Sequence, residues 1–289
     1  MKAFAVRNLK LYVRDKGAVF FSLLAILITI GLYVLFLGDV YAGNMTDSGI
    51  KAAGANEMMD NWVMAGVVAE ASISIAHGVL GIMVADKARK ITKDFHVSPV
   101  KHSALTGGYM ICAYAVSVFM TMFAFVLAQG YIRLNGGAVL PVAKLPEILG
   151  VVFLVNFAAT GMMAFFVSLF KSQQAYSSAS TVIGTLLGFV MGIYLPIGMY
   201  PSFVQWIIKC FPISHGAVLF RQIMMETVME DVFEGMPDGV MEEICKDFGV
   251  TYYFGDFKAT PLTSVCILLV TGVVFTGLAC LNLGKKQKV

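Results

Sequence analysis

The sequence predicts an all-α polytopic membrane protein built as a single domain of residues 1–289. Two features of composition indicate this class: 58% of the residues are hydrophobic and only 13% are charged, whereas soluble domains carry about 25% charged residues. The third is the presence of six apolar runs of the length, roughly 20 residues, at which a helix crosses a hydrocarbon layer of about 30 Å. These runs lie at 18–38, 62–85, 104–129, 147–170, 175–195 and 260–283.

The segment before the first run predicts a short surface helix rather than a cleaved leader. The apolar run that follows it is longer than the roughly 7 to 15 residues of a signal-peptide core. One face of the segment is apolar and the opposite face is basic, which is typical of a helix that lies at the membrane surface. The apolar face carries Ala5, Leu9, Tyr12 and Val13, and the basic face carries Arg7, Lys10 and Arg14.

The basic residues predict the orientation. Most of the 21 Lys and Arg residues lie before the first run, between the second and third, between the fourth and fifth, and in the tail. With six spans, all of these segments fall on one side, and short cytoplasmic loops are enriched in Lys and Arg. We therefore expect an integral protein of a bacterial plasma membrane with both termini in the cytoplasm.

Residues 196–259, between the fifth and sixth runs, predict an outer re-entrant segment. Pro196, Pro201 and Pro212 divide its apolar first half into short pieces, and proline interrupts helices. A seventh span would also invert the basic tail. We expect two short helices that enter the outer leaflet and turn back, which a membrane tolerates where protein or a cavity covers the broken backbone.

The second run carries a polar stripe. Glu70, Ser74 and His77 share one helical face, and a charge at the centre of a span costs about 2.5 to 3.5 kcal/mol unless it faces a bundle interior or a wet cavity. Glu70 has three open roles: a structural hydrogen bond to the fourth run, a path for a cationic or polar substrate, or a proton relay. The candidate path residues are Glu70, Ser74, His77, Asn156 and Thr160.

The fifth run carries a stripe of small residues that recur every fourth position. Such a stripe lets another helix approach closely, either within one subunit or across a dimer interface. Its members are Ser180, Gly184, Gly188 and Gly192. We expect no metal site, because one Glu and one His seven residues apart do not complete a ligand shell. Cys210 and Cys245 would both lie outside, where a disulfide is possible.

The hydrophilic stretch 86–103 is the largest expected inner loop. Lys93-Asp94-Phe95 places an aromatic residue beside a charge pair, and Ser98-Pro99-Val100 predicts an extended, rigid stop. A solvated loop that only fixes the topology is one interpretation. The other is an interface, because an exposed Phe in a charged loop is typical of an anchor.

These residues, with Asp86 before them and Gly107-Gly108-Tyr109 after them, resemble the helix 2 to helix 3 region of ABC-2 type permeases, the membrane subunits of type V ABC exporters. The surface helix, the six spans and an apolar segment with Phe211-Pro212 and Arg221 agree with that family. The resemblance implies that the loop contains a coupling helix that docks into a cytoplasmic ATPase. Carried over, the coupling residues are Ile91, Lys93, Asp94, Phe95, His96, Ser98, Pro99 and Val100.

The resemblance also implies the partners. The phosphate-binding pattern G-x-x-x-x-G-K-[ST] does not occur in the sequence, so the chain is not itself an ATPase and binds no cofactor of its own. A separate ATPase chain would use ATP and Mg²⁺, and a second permease chain would complete the transporter. The implied substrate is amphipathic or hydrophobic: a drug, a peptide or a lipid. A net charge of +3 is too small to indicate a nucleic-acid partner.

Other classes of function stay open. A stand-alone carrier or channel, or an intramembrane enzyme, would use Glu70 and His77 in its core. Carriers often have duplicated halves, and residues 1–145 and 146–289 show no repeat. An enzyme would need a further catalytic group that converges on these two. A membrane protein that binds the ATPase without moving a substrate also fits the sequence.

Overall fold

The computed structural model describes residues 1–37, 52–91, 102–234 and 239–284. These residues are almost entirely helical, which confirms the all-α class. The first half contains α1 (Lys2–Arg14), α2 (Lys16–Leu32) with a π-helical turn (Tyr33–Leu37), α3 (Ala52–Ala88), α4 (His102–Leu134) and α5 (Leu145–Ser168). The second half contains α6 (Gln173–Val190), α7 (Ser202–Cys210), α8 (Ser214–Met224), α9 (Glu226–Phe233), α10 (Val240–Asp247), the hairpin β1 (Tyr253–Phe254) and β2 (Phe257–Lys258), and α11 (Pro261–Gly284).

Five helices in the described part of the chain are long and apolar enough to cross a membrane. The predicted fifth span is not among them: α6 forms a helix there, but its glutamine, serine and threonine residues lower its hydropathy. The pair α7 and α8 qualifies as a sixth only if its two bent halves are counted together. The number of spans stays a prediction. The five lie at Lys16–Leu35, Gly54–Ala88, Ala104–Leu134, Val142–Ser168 and Pro261–Leu283.

The centre of the bundle is α3. Residues 61–69 of this helix are all buried, and α4, α5, α6 and α8 pack around it. A helix that is apolar on all sides needs such cover. At 37 residues, α3 extends beyond the predicted run 62–85 at both ends, since helical residues outside the apolar core, such as Met58 and Met59, are also buried by neighbours.

Glycines allow α5 and α11 to pack closely. A Cβ atom at Gly161 of α5 would lie 2.8 Å from Oγ1 of Thr276 and 2.9 Å from the carbonyl oxygen of Gly272, both on α11. Only a residue without a side chain fits this approach, as is common between membrane helices. The C-terminal helix is thereby fixed against the bundle.

The two short helices predicted after Pro201 are α7 and α8, which meet at 88° around Pro212. The free carbonyl groups at the end of α7 find partners in α8. Oγ of Ser214 lies 2.7 Å from the carbonyl oxygens of both Ile208 and Phe211, and Nε2 of His215 donates to the carbonyl of Lys209 at 3.1 Å. Protein groups therefore satisfy the broken backbone, as a segment at membrane depth requires.

Helix α1 differs in part from the expected amphipathic pattern. Ala5 and Tyr12 are buried, but Leu9 and Val13 of the predicted apolar face are 39% and 61% exposed. Asn8 is buried instead. The reason is that α1 packs against the side of α4, so the face toward the protein is rotated from the face toward its other surroundings.

Candidate functional site

A buried carboxylate at one end of α3 joins three helices. Arg7 of α1 donates to both oxygens of Asp86, from Nη1 to Oδ2 at 2.6 Å and from Nη2 to Oδ1 at 3.1 Å. Tyr109 of α4 donates to Oδ2 at 2.6 Å. The hydrogen bond with Asp86 raises the pKa of Arg7 above its usual value, so the guanidinium remains charged. We call Arg7, Asp86 and Tyr109 the inner clamp.

Lys87, which follows Asp86, links this end of α3 to α5. Nζ of Lys87 donates to the carbonyl of Ser168, the last residue of α5, at 3.1 Å. Asn282 of α11 donates to the hydroxyl oxygen of the same serine at 2.6 Å. Asp86 and Lys87 therefore connect this end of α3 to α1, α4 and α5. Ser168 in turn connects α5 to α11.

The glycines before Tyr109 provide the surface on which α1 lies. A Cβ atom at Gly107 would lie 2.7 Å from Cε of Met1, and one at Gly108 would lie 2.6 Å from Cδ1 of Phe4. Phe4 packs edge-on against Tyr109, with ring centroids 4.9 Å apart. The Gly-Gly-Tyr sequence is thus the docking surface for α1.

The expected coupling loop begins where α3 ends. Lys90 has a left-handed backbone with φ of 61°, and its N–H donates to the carbonyl of Lys87 at 3.1 Å, which ends the helix. Ile91, half-buried, is the last described residue before the loop. The other expected coupling residues lie outside the described part of the chain: Lys93, Asp94, Phe95, His96, Ser98, Pro99 and Val100.

One strip of α3 is only partly covered by other helices. Between residues 62 and 80, every residue is buried except Glu70, Ser74 and Gly78, which recur every fourth position and so share one face. The Ser74 hydroxyl donates to Oε1 of Glu70 through a short hydrogen bond. The accessible strip therefore presents a carboxylate and a hydroxyl.

His77 lies beside this strip, under α6. Ser180 donates its hydroxyl proton to the carbonyl of Tyr176 at 2.7 Å, so the 2.8 Å contact between His77 Nε2 and Ser180 Oγ places the ring proton on Nε2. The Tyr176 hydroxyl donates to the carbonyl of His77 at 2.7 Å. Nδ1 of His77 is then a buried acceptor without a hydrogen-bond partner among the described residues. His77 therefore joins α3 to α6, and its Nδ1 remains without a hydrogen-bond partner among the described residues.

The predicted small-residue stripe does not form one continuous face. Ser180 bonds to His77, and Gly188 packs on the ring of Tyr194. Gly192 is outside the helix because α6 ends at Val190; it has φ of 66°, and its Cβ would lie 2.9 Å from Nη2 of Arg221. Gly184 is exposed, with no atom near the position of a Cβ. Packing within the subunit accounts for three of the four positions, and a dimer role for Gly184 stays a prediction.

Asn156 and Thr160 lie elsewhere in the bundle. The Asn156 amide accepts from Thr121 at 3.3 Å and donates to the carbonyl of Val152 at 2.8 Å. Oγ1 of Thr160 is buried without a hydrogen-bond partner among the described residues. The predicted structural bond from Glu70 to either residue is absent from the described contacts, since the Glu70 carboxylate bonds to its own helix.

Arg221, which the sequence drew attention to only as part of a motif, is a buried connector. It is 2% exposed, and its Nη2 donates to the carbonyls of Met191 and Gly192 at 2.7 and 2.8 Å. Its guanidinium lies 4.7 Å from the ring centroid of Trp62, an arrangement that favours a cation. Arg221 therefore holds together the end of α6, the part of α3 around Trp62, and α8.

Sequence reasoning missed two partners that the fold creates. Arg7 lies 79 positions from Asp86, and no local pattern links them. Asp60, 8% exposed, accepts from Tyr33 at 2.9 Å and from Asn135 at 3.1 Å. The signal for Asp60 was its charge next to an apolar run, but its partners, which lie just after α2 and just after α4, are distant in sequence.

Metal and disulfide chemistry find no support among the described residues. No group of three or more His, Cys, Asp or Glu side chains in that part of the chain is placed to hold a metal ion. All five cysteines are described and free, including Cys210 and Cys245. The structure therefore contains a polar strip of Glu70 and Ser74 on α3, and the inner clamp at one end of α3.

Comparison with known proteins adds one match. The family described as "ABC-2 family transporter protein" matches residues 56–281, which include α4 to α10, nearly all of α3, most of α11, and the loop between α3 and α4. A search of curated proteins finds no match to the chain.

The inner clamp makes a testable contribution to stability. We expect Arg7→Gln to lower the free energy of unfolding by about 1.5 to 3 kcal/mol, because it leaves Asp86 buried without its charged donor. The value belongs near the lower limit, since the Arg7 side chain is 31% exposed and solvent screens it. Arg14→Gln, at an exposed position of the same helix, should change stability by at most about 0.5 kcal/mol. Thermal unfolding of the purified chain in detergent measures both, and equal shifts would refute the clamp.

Proposed function

The chain belongs to the ABC-2 family of transporter proteins, and on this premise we propose that it is the membrane subunit of an ATP-driven exporter. Two such subunits would pair, and each would receive mechanical work from a cytoplasmic ATPase chain that binds ATP and Mg²⁺. The observation that carries this proposal is the match of the family over the central helices and the loop between α3 and α4.

The lengths of the helices support a role for that loop in docking. With 37 residues at about 1.5 Å each, α3 is about 55 Å long, and α4 with 33 residues is about 50 Å long. Both exceed the roughly 30 Å of hydrocarbon. The predicted apolar runs of these helices stop at residue 85 and resume at residue 104, so we place the hydrophilic loop 92–101 outside the hydrocarbon, where a cytoplasmic partner can reach it.

The inner clamp supports the transmission of force. A displaced loop moves a bundle only if its base is rigidly attached, and Asp86 and Lys87 connect the base to α1, α4 and α5, while Ser168 joins α5 to α11. We assign the loop residues from Ile91 to Val100 to contact with the ATPase, with Asp94 and Phe95 as its principal anchors.

The uncovered parts of the bundle support a path for the substrate. The strip of Glu70 and Ser74 is accessible, and α6, which packs mainly against α3, has an exposed face of small and hydroxyl residues. Such a face lets a second helix approach, so we assign it to the contact with the second permease chain. The exposed residues of this face are Ser177, Ser178, Thr181, Gly184 and Thr185.

The charge of Glu70 favours a cationic amphipathic substrate. The described residues place no Lys or Arg in an ion pair with Glu70. A carboxylate at membrane depth gains stability from an opposite charge. We therefore propose that the substrate supplies this charge, while apolar walls accept the rest of the molecule.

The alternative of a stand-alone carrier or an intramembrane enzyme centred on Glu70 and His77 has less support. A catalytic pair needs its members to converge, but Glu70 bonds to Ser74 and His77 bonds to Ser180. Neither side chain is hydrogen-bonded to the other in the described structure. Nδ1 of His77 is buried, so His77 serves the contact between α3 and α6 rather than the chemistry of such an enzyme.

The docking assignment is tested by replacing Asp94 and Phe95 with alanine. We expect a cytoplasmic ABC ATPase to co-purify with the wild-type chain from its native host, and to be lost from the D94A/F95A variant. The chain contains its own matched control, because Asp256 and Phe257, which are both exposed, form another Asp-Phe pair. D256A/F257A should keep the ATPase. A folded D94A/F95A variant that retains the ATPase would refute the assignment of these two residues.

The path assignment is tested by Glu70→Gln. Glutamine can still accept the hydrogen bond from Ser74, so we expect an unchanged unfolding temperature. In vesicles that contain the transporter complex, efflux of the cationic dye ethidium should fall about tenfold, equivalent to about 1.4 kcal/mol, whereas efflux of the neutral dye Nile red should not. Glu230→Gln makes the same change at an exposed position outside the strip and serves as the control. A large loss of folded E70Q protein would indicate a structural role instead.

A further inference from the structure

Helix α1 has three faces, and only one of them is buried by the protein, although Arg7 of the basic face also reaches Asp86. The first face, of Ala5, Asn8 and Tyr12, is buried and packs against α4. Contacts on α4 run from Gly107 to Cys112, which lies near Tyr12. Eleven residues of α1 rise about 16 Å while five residues of α4 rise about 8 Å, so α1 crosses α4 obliquely. The two remaining faces point away from this contact.

The second face is apolar and exposed. Val6, Leu9 and Val13 are 48%, 39% and 61% exposed, and their spacing of three and four residues places them on one side of the helix. Such a stripe is unfavourable in water but stable against acyl chains. Since α2, a candidate span, begins at Lys16, α1 ends at the boundary of the membrane. Acyl chains are therefore within reach of this face.

The third face is basic, and no acidic residue of the helix balances its charge. Lys10 and Arg14 are exposed and lie on the same side as Arg7, whose charge is already paired with Asp86. The helix Lys2–Arg14 contains no Asp or Glu. In the described part of the chain, Lys10 and Arg14 take part in no ion pair. Two positive charges next to an apolar stripe match an anionic head group above its own acyl chains.

We propose that α1 binds anionic phospholipid, with Lys10 and Arg14 on the head group and Val6, Leu9 and Val13 against the acyl chains. The inner clamp gives this lipid site a route to the base of the loop 92–101, because Arg7 connects α1 to Asp86. The lipid would thus hold α1 in the position that the clamp requires. The proposal does not depend on the transport function of the chain.

Titration of the purified full-length chain with lipid, followed by native mass spectrometry, tests the site. The probes are phosphatidylglycerol and phosphatidylcholine with the same acyl chains. Each basic residue at a membrane surface strengthens anionic lipid binding about fivefold, so K10Q/R14Q should weaken phosphatidylglycerol binding by roughly 30-fold. Its binding of phosphatidylcholine should not change. The variant R89Q/K171Q removes the same charges from two other exposed positions and should retain the preference.

Three outcomes would overturn the proposal. The first is equal affinity of the wild-type chain for the two lipids. The second is an equal loss in K10Q/R14Q and R89Q/K171Q, which would indicate a general effect of charge. The third is an unchanged lipid preference in K10Q/R14Q combined with loss of a co-purifying ATPase, which would assign the basic face to a protein partner. If the double variant does not fold, Lys10→Gln alone should weaken phosphatidylglycerol binding about fivefold.

Discussion

The arrangement of the chain depends on the need to pair the buried carboxylate of Asp86. A carboxylate with 4% exposure is stable only with strong donors, and removal of one partner leaves an uncompensated charge. Arg7 and Tyr109 meet this need from two different helices. One ion therefore determines where α1 lies, how α4 meets α3, and from which point the loop between them begins. Lys87 extends the same junction to α5.

The need to pair buried polar groups also explains the contacts at the other end of the bundle. Glu70 is the exception to this rule. The carbonyl groups freed by the bend between α7 and α8 are satisfied by Ser214 and His215, and those at the end of α6 by Arg221. Glu70 is different, because its one hydrogen bond in the described structure comes from its own helix and its face is accessible. The described residues place no Lys or Arg in an ion pair with this carboxylate, which supports our proposal that a ligand completes the pairing.

Local patterns were sufficient for the class of fold and for the bend at Pro212, because apolar length and proline act over a few residues. They were also sufficient to place Glu70 and Ser74 on one face, since helical spacing determines this. They failed where the answer depends on contacts distant in sequence. The stripe from Ser180 to Gly192 suggested one face, but the helix ends at Val190 because Gly192 has a left-handed backbone, and Arg221 binds the carbonyl groups of Met191 and Gly192 beyond that end. The face of α1 was misassigned in part because its partner, α4, begins about ninety residues further along the chain.

The central claim is that the loop anchored by the inner clamp meets a cytoplasmic ATPase. A photo-reactive amino acid in place of Phe95, activated in membranes of the native host, tests it most directly. Our account predicts one dominant cross-link to an ABC ATPase chain, with a yield that falls when Asp86→Asn is added, because the base of the loop is then no longer fixed. Cross-links to lipid alone, or to proteins on the outer side of the membrane, would contradict both the docking role and the orientation on which it depends.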